Sequence, residues 1–172
     1  MKKWHIAFWV ILFSAISIWY VTKGYHSGPK EGSQAPEFSL PNASGQTQSL
    51  SQFSNQVILL NFWATWCSPC VSEMASLDHL YQKYKDKGFV VLAVSVDEEG
   101  WKAINEFLKK IPVTFPILLD SEFKVADFYG TYQVPESYLI NRKGQIVDKI
   151  LGAKEWDSPE MISKIEKIIS NP

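Results

Sequence analysis

Both cysteines of the 172-residue chain fall in a single C-x-x-C, Cys67-Ser68-Pro69-Cys70. Two thiols at that spacing can close on each other, and so can pass two electrons to or from another disulfide. The run before them, Val57–Trp63 (VILLNFW), is continuously apolar and predicts a strand buried on both faces. A helix is predicted to open at Cys67 or Ser68 and to run to about Lys87, where Gly88 stops it. The first turn of a helix presents unpaired N–H groups and the positive end of the dipole, which favours a thiolate over a thiol. Cys67 is therefore expected to have a depressed pKa and to be the attacking sulfur. Cys70, one turn further in, is placed to resolve a mixed disulfide formed at Cys67. Pro69 fixes the first turn and removes no helical hydrogen bond there. So short a loop gives little loop-closure stabilisation, which argues against a purely structural disulfide.

Two other uses of cysteine fit less well. A structural zinc needs four ligands, and there is no second cysteine pair. The histidines are scattered: His5 in an apolar stretch, His26 in a Gly/Ser/Pro-rich stretch, His79 nine residues beyond Cys70. A peroxidase-type cysteine sits in P-x-x-x-T-x-x-C. Counting back from Cys67 gives Leu60 and Ala64, and from Cys70 gives Trp63 and Cys67. Neither matches. A cysteine pair directly after a strand-to-helix junction is instead a redox signature.

Further along the predicted helix, Cys70, Glu73, Leu77, Leu80 and Tyr84 share one face. With the leucines turned to the core, Glu73 is expected partly buried beneath Cys70. Desolvation there would raise its pKa and let it trade a proton with the Cys70 thiol. The spacing equally allows a solvated carboxylate that complements the helix N-terminus. Trp63 and Trp66 flank the pair; either can be core, and Trp66 is the expected exposed contact. Val134-Pro135 precedes a predicted strand, and the intrinsic preference of an X-Pro bond favours trans.

The elements that must position these groups follow from the pattern. Glu37–Leu40 and Gln46–Leu50 flank a Pro-Asn-Ala-Ser-Gly cluster and predict a short hairpin. Phe89–Val96 is a second buried strand, Trp101–Ile111 an amphipathic helix, Phe115–Leu119 a short strand and Ser121–Phe128 a short helix. Ser137–Asn141 and Gln145–Leu151 predict two strands about an Arg142-Lys143-Gly144 turn. Ser158–Ser170 closes as an amphipathic helix, with Ser158 as N-cap and Pro159 at its first position. That alternation implies an α/β fold, a mixed sheet covered on both faces.

The overall charge is −1, and three of the 17 basic residues (Lys2, Lys3 and Lys23) lie in the first 23. The remainder is mildly acidic and lacks the basic stripe that nucleic acid requires. Residues 4–22 carry no formal charge and, as a helix, would span roughly 28 Å, close to a bilayer's hydrocarbon thickness. Trp4 at one end, and Trp19 and Tyr20 at the other, suit the interfacial belts. A cleaved signal peptide would end in small residues, where Trp19-Tyr20-Val21 stands instead. The expectation is an uncleaved anchor over residues 1–23 followed by a flexible linker over 24–34. Lys2 and Lys3 would stay cytoplasmic, with the rest facing outside, where disulfides persist.

The segments APEFSLPNASGQTQSLSQF, VILLNFWATWCSPC and GTYQVPESYLINRKGQIVDKILG together resemble the membrane-anchored, thioredoxin-like thiol-disulfide oxidoreductases of the TlpA, ResA and CcmG/DsbE type. The likeness covers residues 35–172. It implies a thioredoxin fold with an N-terminal β-hairpin and a central αβ insertion over Trp101–Leu119, beside the single transmembrane helix. It implies a redox-active Cys67–Cys70 disulfide with no other cofactor and no metal, and Glu73 as the active-site acid. Pro135 would be cis and packed beside the disulfide, with the Val134 backbone pairing with an extended substrate. Trp66, Ser68 and Pro69 complete the expected substrate contacts. The implied substrate is a disulfide-containing protein, with the haem-site cysteines of apocytochrome c suggested, and a membrane thiol-disulfide carrier supplies electrons. The implied location is the bacterial cytoplasmic (inner) membrane, single-pass, with the catalytic domain on the periplasmic or extracytoplasmic side. One departure is Ala75, where many relatives place a helix-kinking proline. The residues themselves leave open a disulfide-forming oxidant, or a metal-binding or chaperone module using the same thiols.

Overall fold

The computed structural model describes Ser14 and residues 28–170. In chain order these fold as β1 (Ser39–Pro41), β2 (Thr47–Ser49), β3 (Val57–Trp63), α1 (Ser68–Tyr84), β4 (Phe89–Ser95), α2 (Trp101–Leu108), β5 (Ile117–Leu119), α3 (Lys124–Phe128), β6 (Glu136–Ile140), β7 (Ile146–Leu151) and α4 (Pro159–Ser170). Single 3-10 turns follow β2 and α1, at Leu50–Phe53 and Lys85–Lys87. β1 and β2 form the expected antiparallel hairpin, and the other five strands make one sheet in the order β5-β4-β3-β6-β7. β3, β4 and β5 run parallel, while β6 and β7 join antiparallel.

β3 is the central strand, and every one of its residues is buried. Alternate side chains of a strand point to opposite faces, so both faces of the sheet are covered. On one face Phe62 meets Tyr129 and Tyr138, with ring centroids 5.5 and 6.1 Å away. On the other face Asn61 reaches α1 and Trp63 packs on Phe107 of α2. The strand that carries the chemistry is thus held from both sides, which fixes where its C-terminal end stops.

α1 ends as the glycine signal predicts, with Gly88 in the left-handed region at φ 74°. α2 stops three residues before Ile111, because Ile111 precedes Pro112, whose ring disfavours helix in the residue before it. α3 begins at Lys124 where the sequence predicts Ser121. The Asp120 carboxylate accepts the N–H groups of Lys124, Val125 and Ala126, so the cap sits one residue before the expected start. Phe123 is left-handed at φ 57° ahead of it. Ser158 caps α4 as expected, its hydroxyl accepting from Met161 N.

The paired body starts slightly ahead of Ala35. Gly32 N donates to Ile146 O at 2.7 Å and Ile146 N to Ser33 O at 2.9 Å, laying these residues along the β7 edge. The segment expected to anchor in a membrane, residues 4–22, lies outside the described residues except for Ser14. Among the described residues no helix is long and apolar enough to cross a membrane.

Candidate active site

The turn between β3 and α1 is built before the cysteines are reached. Thr65 donates its backbone N–H to both carboxylate oxygens of Asp97, at 3.2 and 3.0 Å, and its hydroxyl at 2.6 Å. Asp97 is itself buried just past β4 and accepts from Ser95 Oγ at 2.7 Å. Cys67 N then donates to Ala64 O at 3.2 Å. These bonds seat Cys67 as the N-cap of α1, with extended φ and ψ of −87° and 100°.

In that position Cys67 Sγ accepts the N–H of Cys70 at 3.2 Å, one of the orphan donors of the first turn. The two sulfurs are joined as the expected Cys67–Cys70 disulfide. Cys67 is 5% exposed and Cys70 fully buried, so of the pair only Cys67 keeps any exposure to solvent. Ser68 and Pro69 lie exposed between them. No acidic residue occupies the first turn of α1 to oppose a thiolate there.

Cys67 Sγ lies 3.4 Å from the Val134 carbonyl oxygen, and the Val134-Pro135 bond is cis. The trans expectation drawn from local X-Pro preference is thereby corrected. That preference is only about 0.5–1 kcal/mol, less than a buried proline can gain from its surroundings. Pro135 is buried, and Val134, whose carbonyl meets the Cys67 sulfur, is half-buried.

Glu73 settles the choice left open by its spacing. It is 1% exposed, deeper than the partial burial expected. Asn61 Nδ2 donates to its Oε1 at 2.9 Å, while Lys154 N and Trp156 Nε1 donate to its Oε2 at 3.0 and 2.9 Å. Burial raises its pKa, and the three donors together with the Lys154 charge pull the other way without cancelling it. The result is a buried carboxyl one helical turn from Cys70 that takes a proton more readily than an ordinary glutamate.

Three further buried residues around the site escape motif reading. Asn61 had a visible signal, a single polar residue inside VILLNFW, which a strand buried on both faces tolerates only with partners. Trp156 comes from the segment between β7 and α4, far away in sequence, with nothing local to mark it. Glu136, beside the cis proline, is buried and accepts from Thr131 Oγ1 and Tyr138 OH, with Lys149 Nζ at 3.0 Å.

Trp63 is core, and Trp66 is 70% exposed beside the disulfide. Trp66 also borders a groove of about 690 Å³ lined by Asp97, Glu98, Glu99, Glu122 and Phe123. Exposed tryptophan at a reactive surface is the type of residue on which binding energy concentrates. Trp66→Ala is expected to raise KM for a protein disulfide roughly tenfold, with unchanged melting temperature. An unaltered KM with a folded variant would remove Trp66 from the contact surface. Among the described residues no group of three or more His, Cys, Asp or Glu could hold a metal ion.

Comparison with known proteins places this geometry. Residues 32–149 match the AhpC/TSA family. The thioredoxin-like protein YneN of Bacillus subtilis is 37% identical over 171 residues, 96% of this chain and 98% of that protein. The thiol-disulfide oxidoreductase ResA of Bacillus cereus is 34% identical over 166 residues, 93% of this chain and 95% of that one. Among solved structures, a Chlorobium tepidum protein assigned as the thiol:disulfide interchange protein DsbE superposes with a TM-score of 0.76 at 31% identity. The match covers 81% of this chain and 98% of that one. The thioredoxin domain of a Bacteroides vulgatus thiol-disulfide oxidoreductase gives 0.70 at 26% identity, over 83% and 99% of the two chains. The fold is therefore thioredoxin-like.

Proposed function

The chain belongs to the AhpC/TSA family and is a thiol-disulfide oxidoreductase of the ResA and DsbE type acting through Cys67 and Cys70; from that premise we propose that it works as an extracytoplasmic reductant of protein disulfides. The observation that carries the reading is the placement of Cys67. Its sulfur caps the helix, meets the Cys70 N–H and lies within 3.4 Å of a backbone carbonyl at Val134, while Cys70 is sealed beneath it.

In the dithiol state the Cys67 thiolate attacks one sulfur of a client disulfide and expels the other as a thiolate. Cys70 passes its proton to Glu73 and attacks Cys67 Sγ. The Cys67–Cys70 bond closes, the client leaves as a dithiol, and two electrons have moved from enzyme to client. The backbone at Val134 and the exposed ring of Trp66 hold the extended client during the exchange, with Ser68 and Pro69 at the rim. In this reading Pro135, buried and joined to Val134 by the cis bond, holds that backbone against Cys67.

The favoured clients are the haem-site cysteines of apocytochrome c, and a membrane thiol carrier restores the dithiol. The proposed setting is the outer face of a bacterial cytoplasmic membrane, with residues 4–22 as the anchor. Uncharged residues 4–22, flanked by Lys2 and Lys3, and the likeness to ResA and DsbE support this setting.

Reduction potential tests the direction of flow. The full-length protein in detergent, equilibrated with glutathione or dithiothreitol buffers, is expected nearer to the about −270 mV of thioredoxin than to the about −120 mV of DsbA. A value at the oxidising end makes it a disulfide-forming oxidant. Stoichiometric copper bound by the reduced protein, with no turnover of client disulfides, makes it a metal module.

A further inference from the structure

The three groups that bond the Glu73 carboxylate are not alike in what they can do. The Trp156 indole and the Lys154 backbone amide are donors only. Both suit the charged carboxylate, and neither can receive its proton. The Asn61 side chain is different, because its amide carries a donor at one end and an acceptor at the other.

Asn61 sits fully buried at the middle of the sheet, between Glu73 on α1 and Ser137 on β6. Its Nδ2 donates to Glu73 Oε1 and to Ser137 Oγ, each at 2.9 Å. Its Oδ1 is buried with no hydrogen-bond partner among the described residues. Both donor contacts are made to atoms that can reverse roles. A protonated Glu73 can donate through Oε1, and a serine hydroxyl donates or accepts by rotation. Turning the amide by half a revolution about its terminal bond exchanges oxygen and nitrogen within nearly the same volume.

We propose that Asn61 is a positioning residue whose amide turns over with the charge of Glu73, donating to the carboxylate and accepting from the carboxylic acid. This rests on the reading of Glu73 as the group that trades a proton with Cys70. In the ionised state Asn61 Nδ2 donates to Oε1, as seen here. Once Cys70 has passed its proton to Glu73, Asn61 Oδ1 accepts the new O–H and the Ser137 hydroxyl turns to donate to the same oxygen. No heavy atom of the carboxyl has to move, so Glu73 keeps its station under Cys70 while it takes up and returns the proton. The charged group facing Glu73 is Lys154, on the segment after β7. From β3 and β6 it is faced by neutral Asn61 and, behind that, Ser137. Glu136 and Tyr138 flank Ser137 but bond to each other and, from Glu136, to Thr131 and Lys149.

Side-chain NMR of the unmodified, full-length oxidised protein in detergent, followed through a pH titration, reads the turn directly. Nuclear Overhauser contacts from the Asn61 Nδ2 protons to the Ser137 Hβ protons are expected above the Glu73 midpoint and lost below it, reversibly. Contacts that persist below the midpoint overturn the proposal. Glu73→Gln, whose Nε2 stands where the acid's O–H would be, should show the turned amide at every pH, and an unturned amide there overturns it as well. Asn61→Leu should leave Cys67 alkylation unchanged and slow client release about tenfold, a small part of a general acid–base effect. Release at the wild-type rate also overturns the proposal. A Glu73→Gln enzyme that releases client at full speed sinks the Glu73 reading instead, so the two failures are told apart.

Discussion

Cys70→Ala protein is expected to accumulate as a mixed disulfide with its client through Cys67, while Cys67→Ala protein traps nothing and falls to the uncatalysed rate. The asymmetry follows from exposure and from the helix. Cys67 reaches solvent and its sulfur receives a backbone N–H at the positive end of α1, whereas Cys70 is fully buried one turn behind. Thiolate is the nucleophile, and an ordinary cysteine near 8.5 is only about 3% ionised at pH 7, so stabilising the anion can raise the reactive fraction roughly thirtyfold. Part of that gain is offset because a more acidic thiolate is a weaker nucleophile. Without Cys70 the first exchange still runs and the second cannot, so the covalent complex persists. Non-reducing electrophoresis and mass spectrometry of the complex check this and identify the client. Equal trapping by both variants would make Cys70 a competent attacker and reverse the assignment.

Periodicity made most of this fold legible, and the exceptions have definable causes. Val57–Trp63 and Phe89–Val96 read as buried strands because both faces are covered, which leaves a continuous apolar run, and the strands observed are Val57–Trp63 and Phe89–Ser95. The start of α3 lies three residues past the predicted Ser121 because the capping carboxylate is Asp120, four residues ahead of Lys124, acting through three backbone N–H groups. The cysteine pair was legible because its chemistry depends on local placement at a strand-to-helix junction. The remainder of the site is held from far along the chain: Lys154 and Trp156 reach Glu73 from 81 and 83 residues away. Spacing on α1 could therefore place Glu73 on the correct face, yet could not say how deeply it was buried or who would bond it. The cis bond at Pro135 is of the same kind, decided by tertiary neighbours and invisible to the dipeptide.

Glu73→Gln should slow release of the client from the mixed disulfide about 100-fold or more near neutral pH, the range over which positioned acid–base groups act. Attack by Cys67 should be little changed, because that sulfur draws on the helix N-terminus and not on Glu73. The same substitution has a signed effect on stability. Burial raises the pKa of Glu73 in the folded protein above its unfolded value. Between those two values the native state holds the proton that the unfolded chain has lost, so stability falls as pH rises through that window. Below the unfolded value both states are protonated and glutamine closely mimics the acid. Wild type and variant should therefore unfold with similar free energy at low pH and diverge above it, the variant being the more stable at neutral pH. Urea unfolding between pH 4 and 8 reads the divergence, and single-turnover client release at the same pH values reads the kinetic loss. A variant that is slower yet no more stable at neutral pH would mean that the donors from Asn61, Lys154 and Trp156 outweigh burial. Glu73 would then hold a proton no more readily than an ordinary glutamate, and burial would no longer account for its part in the exchange.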